Sequence, residues 1–361
     1  MIGSIIVFLI VLSILVLVHE LGHFIMARRA GVLVEEFGFG LPPRVFGKKI
    51  GETLYSINAL PFGGFVKLHG ESSEEKIAFP KRAFLNKSKK TRTGIIVAGV
   101  VMNFLLAIVS FAIVYYFSGI PKETGKVKVL DIAPGSPAQT AGIIVGDVVI
   151  KVDGKEVTKV DEFVGLVEEK KGRRVVIEFE SKKLTVIPRE SPPEGEGPLG
   201  VTISTTEIYY PPKWQRPFVG AFYGFKEALF WGKTVTLGFW NLITQLFGGK
   251  VPGDLAGPVG IFAITSAAAK VGVIALINFI GILSVNLAIL NILPFPALDG
   301  GRLLFIGIEK IIGKKVLSKI ESMVHTVGMV ILLLLLLAIT AHDIKRVIAS
   351  GGFAGFLNSI K

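Results

Sequence analysis

Cysteine is absent from all 361 residues. That excludes disulfides and thiolate metal sites, so any metal ligands must come from histidine and carboxylate. Histidine is itself scarce, with five in the chain. Charge is sparse: Asp, Glu, Lys and Arg make up 19% of residues, and none falls between Ile2 and Val18. The N-terminus has no basic segment before its apolar run and no small-residue cleavage site after it, so the run reads as a retained span rather than a signal peptide. No internal repeat is found, which argues against a transporter built from repeats around a broken-helix ion site.

What is present is hydrophobic. Apolar residues reach 51% and mean hydropathy is +0.62, well above an ordinary soluble domain. The expected fold class is a polytopic α-helical membrane protein of about four transmembrane helices. It also carries a membrane-associated β-loop and an inserted β-rich domain outside the cytoplasm. The net charge of +12 fits basic loops on a cytoplasmic face, and no nucleic-acid partner is expected.

Val18-His19-Glu20-Leu21-Gly22-His23 reads H-E-x-x-H inside the first apolar helix. Positions i and i+4 share one helix face, so His19 and His23 can offer two ring nitrogens to one ion. Glu20 can reach a metal-bound water as its base. Two imidazoles and a carboxylate in hydrocarbon are costly, and the default reading of such residues is functional.

The first span covers about Ile2 to Ala27, roughly 39 Å, with His19 roughly 25 Å along it. Thirteen Lys or Arg follow between Phe24 and Gly94, against none before His19. The positive-inside rule then puts the N-terminus outside and the first loop in the cytoplasm. Residues 35–70 of that loop are rich in Gly, Phe and Pro with strand-like alternation. They read either as a sheet dipping toward the site, its free edge open to an extended substrate, or as a plain hairpin. His69 at its end reads as a solvated loop histidine. The basic run from Lys81 to Arg92 suits a membrane surface. The second span is Gly94 to Phe117, and its Asn103 either bonds a neighbouring helix or helps hold the site.

From Pro121 to about Thr206 charges return and strand signals follow one another. Lys126–Ile132, Asp147–Val152, Lys155–Val157, Arg174–Phe179, Leu184–Ile187 and Leu199–Ser204 read as strands, with a hairpin turn at Asp153-Gly154 and a helix over Val160–Lys171. The stretch APGSPAQTAGIIVGDVVIKVDGKEV resembles a PDZ domain, a fold that binds peptide ends by strand addition; a steric gate that binds nothing is the alternative. SPPEGEGP (191–198) is an expected flexible excursion. Pro211 to Lys250 reads as an amphipathic helix in the outer interface, in preference to a fifth span. The predicted division is 1–118 (first membrane part), 119–207 (PDZ-like domain), 208–270 (interfacial helices) and 271–361 (second membrane part).

The third span begins near Val271 and runs into Asn291-Ile292-Leu293-Pro294-Phe295-Pro296-Ala297-Leu298-Asp299-Gly300-Gly301. Two prolines break it at its cytoplasmic end, where freed carbonyls need new partners. Asp299 reads either as a third metal ligand or as a cap for freed amides. The first and third spans both run inward, so His19, His23 and Asp299 fall at similar depth, and two histidines with one carboxylate form a zinc set that leaves a position for water. The fourth span is Met323 to Ala341, with His325 and His342 read as interfacial.

H-E-L-G-H, the PDZ-like insert and N-I-L-P-F-P-A-L-D-G-G together resemble the site-2 protease family of intramembrane zinc metalloproteases (peptidase M50-like). Gly257-Pro258-Val259-Gly260 and Ala59-Leu60-Pro61-Phe62-Gly63-Gly64-Phe65-Val66-Lys67 are similar to its bacterial, sigma-E-activating branch. The resemblance implies that His19, His23 and Asp299 bind Zn2+ and that Glu20 is base and acid. It further implies that Gly63, Gly64, Phe65, Val66 and Lys67 belong to a membrane-reentrant β-loop guiding substrate, and that Asn291, with Pro294 and Pro296, contacts the unwound substrate. Implied partners are the lipid bilayer of a bacterial plasma membrane and a single-span protein already shortened by another protease, an anti-sigma factor or signal-peptide remnant. The better-known form with two tandem PDZ domains differs, since this chain has room for one. A non-catalytic PDZ-bearing scaffold with a relict motif is the rival reading.

Overall fold

The computed structural model describes residues 2–71, 77–193, 195–248, 257–314, 318–352 and 355–356. Glu194 and Lys250, used above in the excursion and the amphipathic segment, lie outside them. The chain forms two compact units, Met1–Phe117 with Lys213–Lys361, and Ser118–Pro212. Four helices among the described residues are long and apolar enough to cross a membrane: Ile2–Arg29, Lys89–Ser118, Val273–Ile292 and Lys319–Ala349.

Helix α1 (Ile2–Arg29) has Arg28 and Arg29 in its last turn, where cations favour the carbonyl end of a helix. Strands β1 (Val34–Ile50) and β2 (Thr53–Leu68) follow, joined by a tight turn at Gly51, whose φ of 63° suits glycine. Both strands bend. Phe37 pairs with Val66 on one side and Tyr55 on the other, so residues 36–39 lie between 64–67 and 54–57, and 46–49 pair on the far side of 54–57. The 64–67 segment is therefore an outer edge, and it is the one against α1. A Cβ on Gly64 would stand 3.0 Å from the Gly38 carbonyl oxygen, 3.2 Å from Leu17 Cδ2 and 3.8 Å from Glu20 Cγ, so this strand lies directly beside Glu20.

His69, expected to be solvated, is buried. Its Nδ1–H donates to Glu35 Oε1 at 2.7 Å and its Nε2 accepts from the Phe79 amide at 3.1 Å, which ties the root of the β1–β2 sheet to the segment after it. Helix α2 (Lys89–Ser118) begins five residues before the predicted span. Its first turn is basic, but Arg92 does not lie on a membrane surface: it is 4% exposed and ion-paired with Glu309, while Lys89 Nζ donates to the Glu309 carbonyl at 2.7 Å.

The second unit holds β3 (Ile120–Ile132), α3 (Pro137–Thr140), β4 (Val148–Val152), β5 (Lys155–Glu156), α4 (Val160–Glu168), β6 (Val175–Phe179), β7 (Lys183–Val186) and β8 (Val201–Tyr209). Its antiparallel sheet runs β7-β6-β4-β3-β8, with β5 paired to β4. Alternating Val127 and Val129 on β3 and Val175 and Ile177 on β6, with Val149 and Val152 either side of a register shift in β4, supply the core. Strand β3 starts six residues earlier than its hydropathy predicts because Ile120–Glu123 pair with Thr206–Tyr209, a ribbon in which Ile120 is buried and residues 121–126 are exposed.

Back in the first unit, α5 (Arg216–Phe247) is not among the helices long and apolar enough to cross. It packs lengthwise and antiparallel on α2, Gly220 against Ala112 and Gly224 against Ile108, and Ala228 enters a core with Ala107, Phe111 and Val285. Glu227 accepts from Tyr115 Oη at 2.9 Å and Trp231 Nε1 at 3.0 Å, which ties the helix to α2. Helix α6 (Pro258–Val271) also lies along a span, with Phe262 edge-on to Phe8 at 5.5 Å and Ser266 bonded to Ser4 at 3.0 Å. At 14 residues it is too short to cross.

Three elements complete the unit: α7 (Val273–Ile292), α8 (Asp299–Ile312) and α9 (Ser318–Ala349). Helix α2 is antiparallel to α1, since His19 faces Asn103 and His23 faces Ile95. It is antiparallel to α7 as well, with Ser284 Oγ donating to the Asn103 carbonyl at 2.8 Å and Gly281 against Phe111. Hence α1 and α7 run the same way, and the end of α7 comes level with His19.

Candidate metal centre

The H-E-x-x-H residues sit in the second half of α1, and α2 presses on their imidazole face. A Cβ at Gly99 would lie 2.4 Å from His23 Nε2 and 2.7 Å from His19 Cε1, so only glycine leaves room for the two rings. Proline breaks the chain after α7, and the turn returns Asp299 as the first residue of α8.

His19 Nε2 and His23 Nε2 are 3.1 Å apart, and Asp299 Oδ2 lies 3.0 Å from the first and 3.2 Å from the second. These three residues form the one His, Asp or Glu group among the described residues whose ligand atoms converge closely enough for one ion, all within 4.8 Å. Ligands on a tetrahedral ion at about 2.0–2.1 Å stand roughly 3.3 Å from one another, close to the spacing found. His23 Nδ1–H donates to the Ile95 carbonyl at 2.9 Å, so its Nε2 presents a lone pair. Asp299 Oδ2 is buried and accepts no hydrogen bond. Lone pairs packed this closely repel unless a cation lies among them, so the donor set fits a divalent metal.

Glu20 has no hydrogen-bond partner among the described residues and lines a cavity of about 400 Å³ with His19, His23, Phe65, Val66, Leu298 and Asp299. A larger cavity of about 620 Å³ shares Leu68, Glu71 and Arg302 with it and reaches Lys67, Glu321 and His325. Arg302 is ion-paired with Glu71, which holds its guanidinium above the ordinary range.

The other predicted residues divide. Phe65 and Val66 border the Glu20 cavity, Gly64 backs onto Glu20, and Gly63 takes a left-handed φ of 79°. Lys67 pairs with Glu35 at 3.0 Å and faces the larger cavity. Asn291 Nδ2 approaches His19 Nε2 at 3.5 Å. Pro294 is exposed, and Pro296 packs on Gly328 of α9; neither lines the cavity that holds Glu20. His325, expected at the interface, accepts a backbone hydrogen bond from Ala297. Sequence reasoning missed Glu71, Arg302 and His325, whose partners lie up to 231 residues away.

Comparison with known proteins agrees with this geometry. The profile of peptidase family M50 matches residues 7–335. A putative zinc metalloprotease of Clostridium acetobutylicum is 37% identical, over 94% of this chain and 97% of its own. A second, from Clostridium perfringens, is 38% identical over 93% of this chain and 97% of its own. The zinc metalloprotease RasP of Geobacillus kaustophilus is 32% identical over 95% of this chain and 98% of its own. With four apolar helices of spanning length and a family match over most of its length, the chain is a multi-pass membrane protein of peptidase family M50, the site-2 protease family.

Proposed function

We propose that the chain is an intramembrane zinc endopeptidase that hydrolyses peptide bonds within membrane-spanning segments of other proteins. The observation that carries this reading is the meeting of His19 Nε2, His23 Nε2 and Asp299 Oδ2, from two separate helices, within 4.8 Å. Zinc bound there supplies Lewis acidity, polarising the scissile carbonyl and lowering the pKa of water to near 7. The chain's own groups do the rest. Glu20, unpartnered beside the three ligands, takes the proton of the attacking water and passes it to the departing amine. Asn291, beside His19, steadies the unwound substrate.

A helix satisfies its own backbone, so a helical substrate must unwind before its carbonyl is exposed, and the freed groups need partners in hydrocarbon. The outer edge of β2 over Gly63, Gly64, Phe65, Val66 and Lys67 offers such partners beside Glu20 by strand addition. In this reading Pro294 and Pro296 shape the turn that carries Asp299. The N-terminus and the 118–212 unit face outward in a bacterial plasma membrane, as the basic first loop favours. That unit acts as a PDZ-like module selecting among single-span substrates pre-cut by another protease, anti-sigma factors or signal-peptide remnants among them.

The test uses purified full-length protein, metal analysis and a single-span substrate. Near-stoichiometric zinc that Glu20→Gln retains while losing cleavage supports the proposal. Cleavage retained by Glu20→Gln, or metal-free wild type, overturns it, and the latter leaves the scaffold reading.

A further inference from the structure

Helix α9 touches the break between α7 and α8 at its tightest point. A Cβ on Gly328 would lie 2.3 Å from Pro296 Cβ and 2.9 Å from the Pro296 carbonyl, so glycine lets the helix backbone rest on the turn. One turn earlier on the same face, His325 Nδ1 accepts the Ala297 N–H at 3.0 Å. Ala297 has φ 78°; the one other non-glycine with positive φ among the described residues is Asp153, in a hairpin turn. Left-handed backbone crowds Cβ against the following carbonyl, so alanine stays there only when its surroundings hold it. Asp299 follows two residues later. The His325 ring also lies tilted over Phe305 of α8, centroids 5.7 Å apart. It thus grips the turn before Asp299 and the helix after it.

We propose that His325 is a positioning residue for the metal centre: by accepting the Ala297 amide it holds the left-handed turn that aims Asp299 Oδ2 at His19 and His23. The inference rests on the reading of those three residues as zinc ligands. His325 itself ligates nothing. Accepting at Nδ1 requires the neutral ring with its proton on Nε2. Asparagine keeps an acceptor at the same branch position as Nδ1, whereas leucine keeps the bulk without the acceptor. Glycine at 297 removes the crowding that the hydrogen bond opposes.

The experiment uses full-length protein loaded with zinc in detergent and compares wild type, His325→Leu, His325→Asn, and His325→Leu combined with Ala297→Gly. Zinc loss to a chelator, melting temperature, and kcat and KM on a single-span substrate are read for each. His325→Leu is expected to release zinc about 10–100-fold faster, the usual effect of removing a group that orients a ligand, with kcat lowered and KM unchanged. His325→Asn should stay within a few-fold of wild type, and Ala297→Gly should return part of what leucine loses. Zinc release by His325→Leu at the wild-type rate overturns the proposal. So does His325→Asn that is no better than leucine at equal melting temperature. If the leucine variant does not accumulate, the asparagine variant and the double variant decide alone, and loss of zinc by both overturns it. A wild type that never holds zinc refutes the metal centre itself, an outcome distinct from any difference among the His325 variants.

Discussion

Asn103 Nδ2 lies 3.3 Å from His19 Nδ1, and this contact between α2 and α1 governs which ring nitrogen His19 turns toward Asp299. Asn103 is fully buried, and its Oδ1 has no hydrogen-bond partner. A half-turn of the amide brings Oδ1 to the same place, where it accepts from Nδ1–H and leaves Nε2 a bare lone pair. Ile95 does the same for His23 through a backbone carbonyl. Both histidines are therefore oriented by α2, a helix that contributes no ligand.

Replacing Asn103 with alanine should accordingly weaken zinc binding by about 10–100-fold, the range usual for groups behind metal-ligating histidines. Loss of a buried interhelical bond in a membrane bundle costs only about 0.6 kcal/mol on average, so melting should shift little. Competition titration with a zinc chelator measures the first and thermal melting in detergent the second. An unchanged zinc affinity would remove Asn103 from the centre.

Glu20→Gln separates binding from chemistry. The amide is nearly isosteric and Glu20 has no hydrogen-bond partner to lose, so folding and metal content are expected to match wild type. Turnover should fall by at least about 10²-fold, the lower bound for a positioned proton-transfer group. Single-turnover cleavage of a purified single-span substrate measures it.

Why these residues were legible in sequence while others were not follows from the range of each signal. His19, Glu20 and His23 share one turn of one helix, and an uncharged run of apolar residues makes them stand out. Asp299 is legible because two spans running the same way bring their C-terminal ends level, and α1 and α7 do. Local pattern carries no such information about Arg92, whose basic run matched a membrane surface until Glu309 proved to be its partner 217 residues away. Nor does local pattern show that Glu227 is satisfied by Tyr115 and Trp231. His69 reads as a solvated loop histidine and His325 as an interfacial one, yet each accepts a backbone amide from another segment.

The buried pair Arg92–Glu309 makes a stability test, since both side chains are 4% exposed. Removing the carboxylate leaves the Arg92 guanidinium buried without its ion-pair partner, and Glu309→Ala should destabilise by about 3–5 kcal/mol. Replacing both with methionine should cost far less, because a well-packed apolar pair escapes the desolvation penalty. Thermal melting of Glu309→Ala and of the double methionine variant checks this, and a double variant that loses as much as Glu309→Ala would overturn it.

The Glu35–His69 contact at the root of the β1–β2 sheet should make that sheet sensitive to acid. Partial burial pushes the Glu35 carboxyl upward, but the hydrogen bonds from His69 and Lys67 outweigh it, and the net direction is below the ordinary 4.5. A carboxylate held low in the folded state contributes stability that is fully present above its ordinary value and is lost as pH falls through the lowered one. Protection of the β1 and β2 amides against hydrogen exchange, corrected for the intrinsic acid dependence, should hold at neutral pH and drop on acidification below about pH 4. Glu35→Gln cannot ionise, so it should show weaker protection at neutral pH and no further loss on acidification through this range. Because β2 backs onto Glu20 through Gly64, the same loosening should raise KM for a membrane-spanning substrate before zinc is lost. A sheet whose protection is flat across that range, with wild type and Glu35→Gln alike, would show that the contact is not what anchors it.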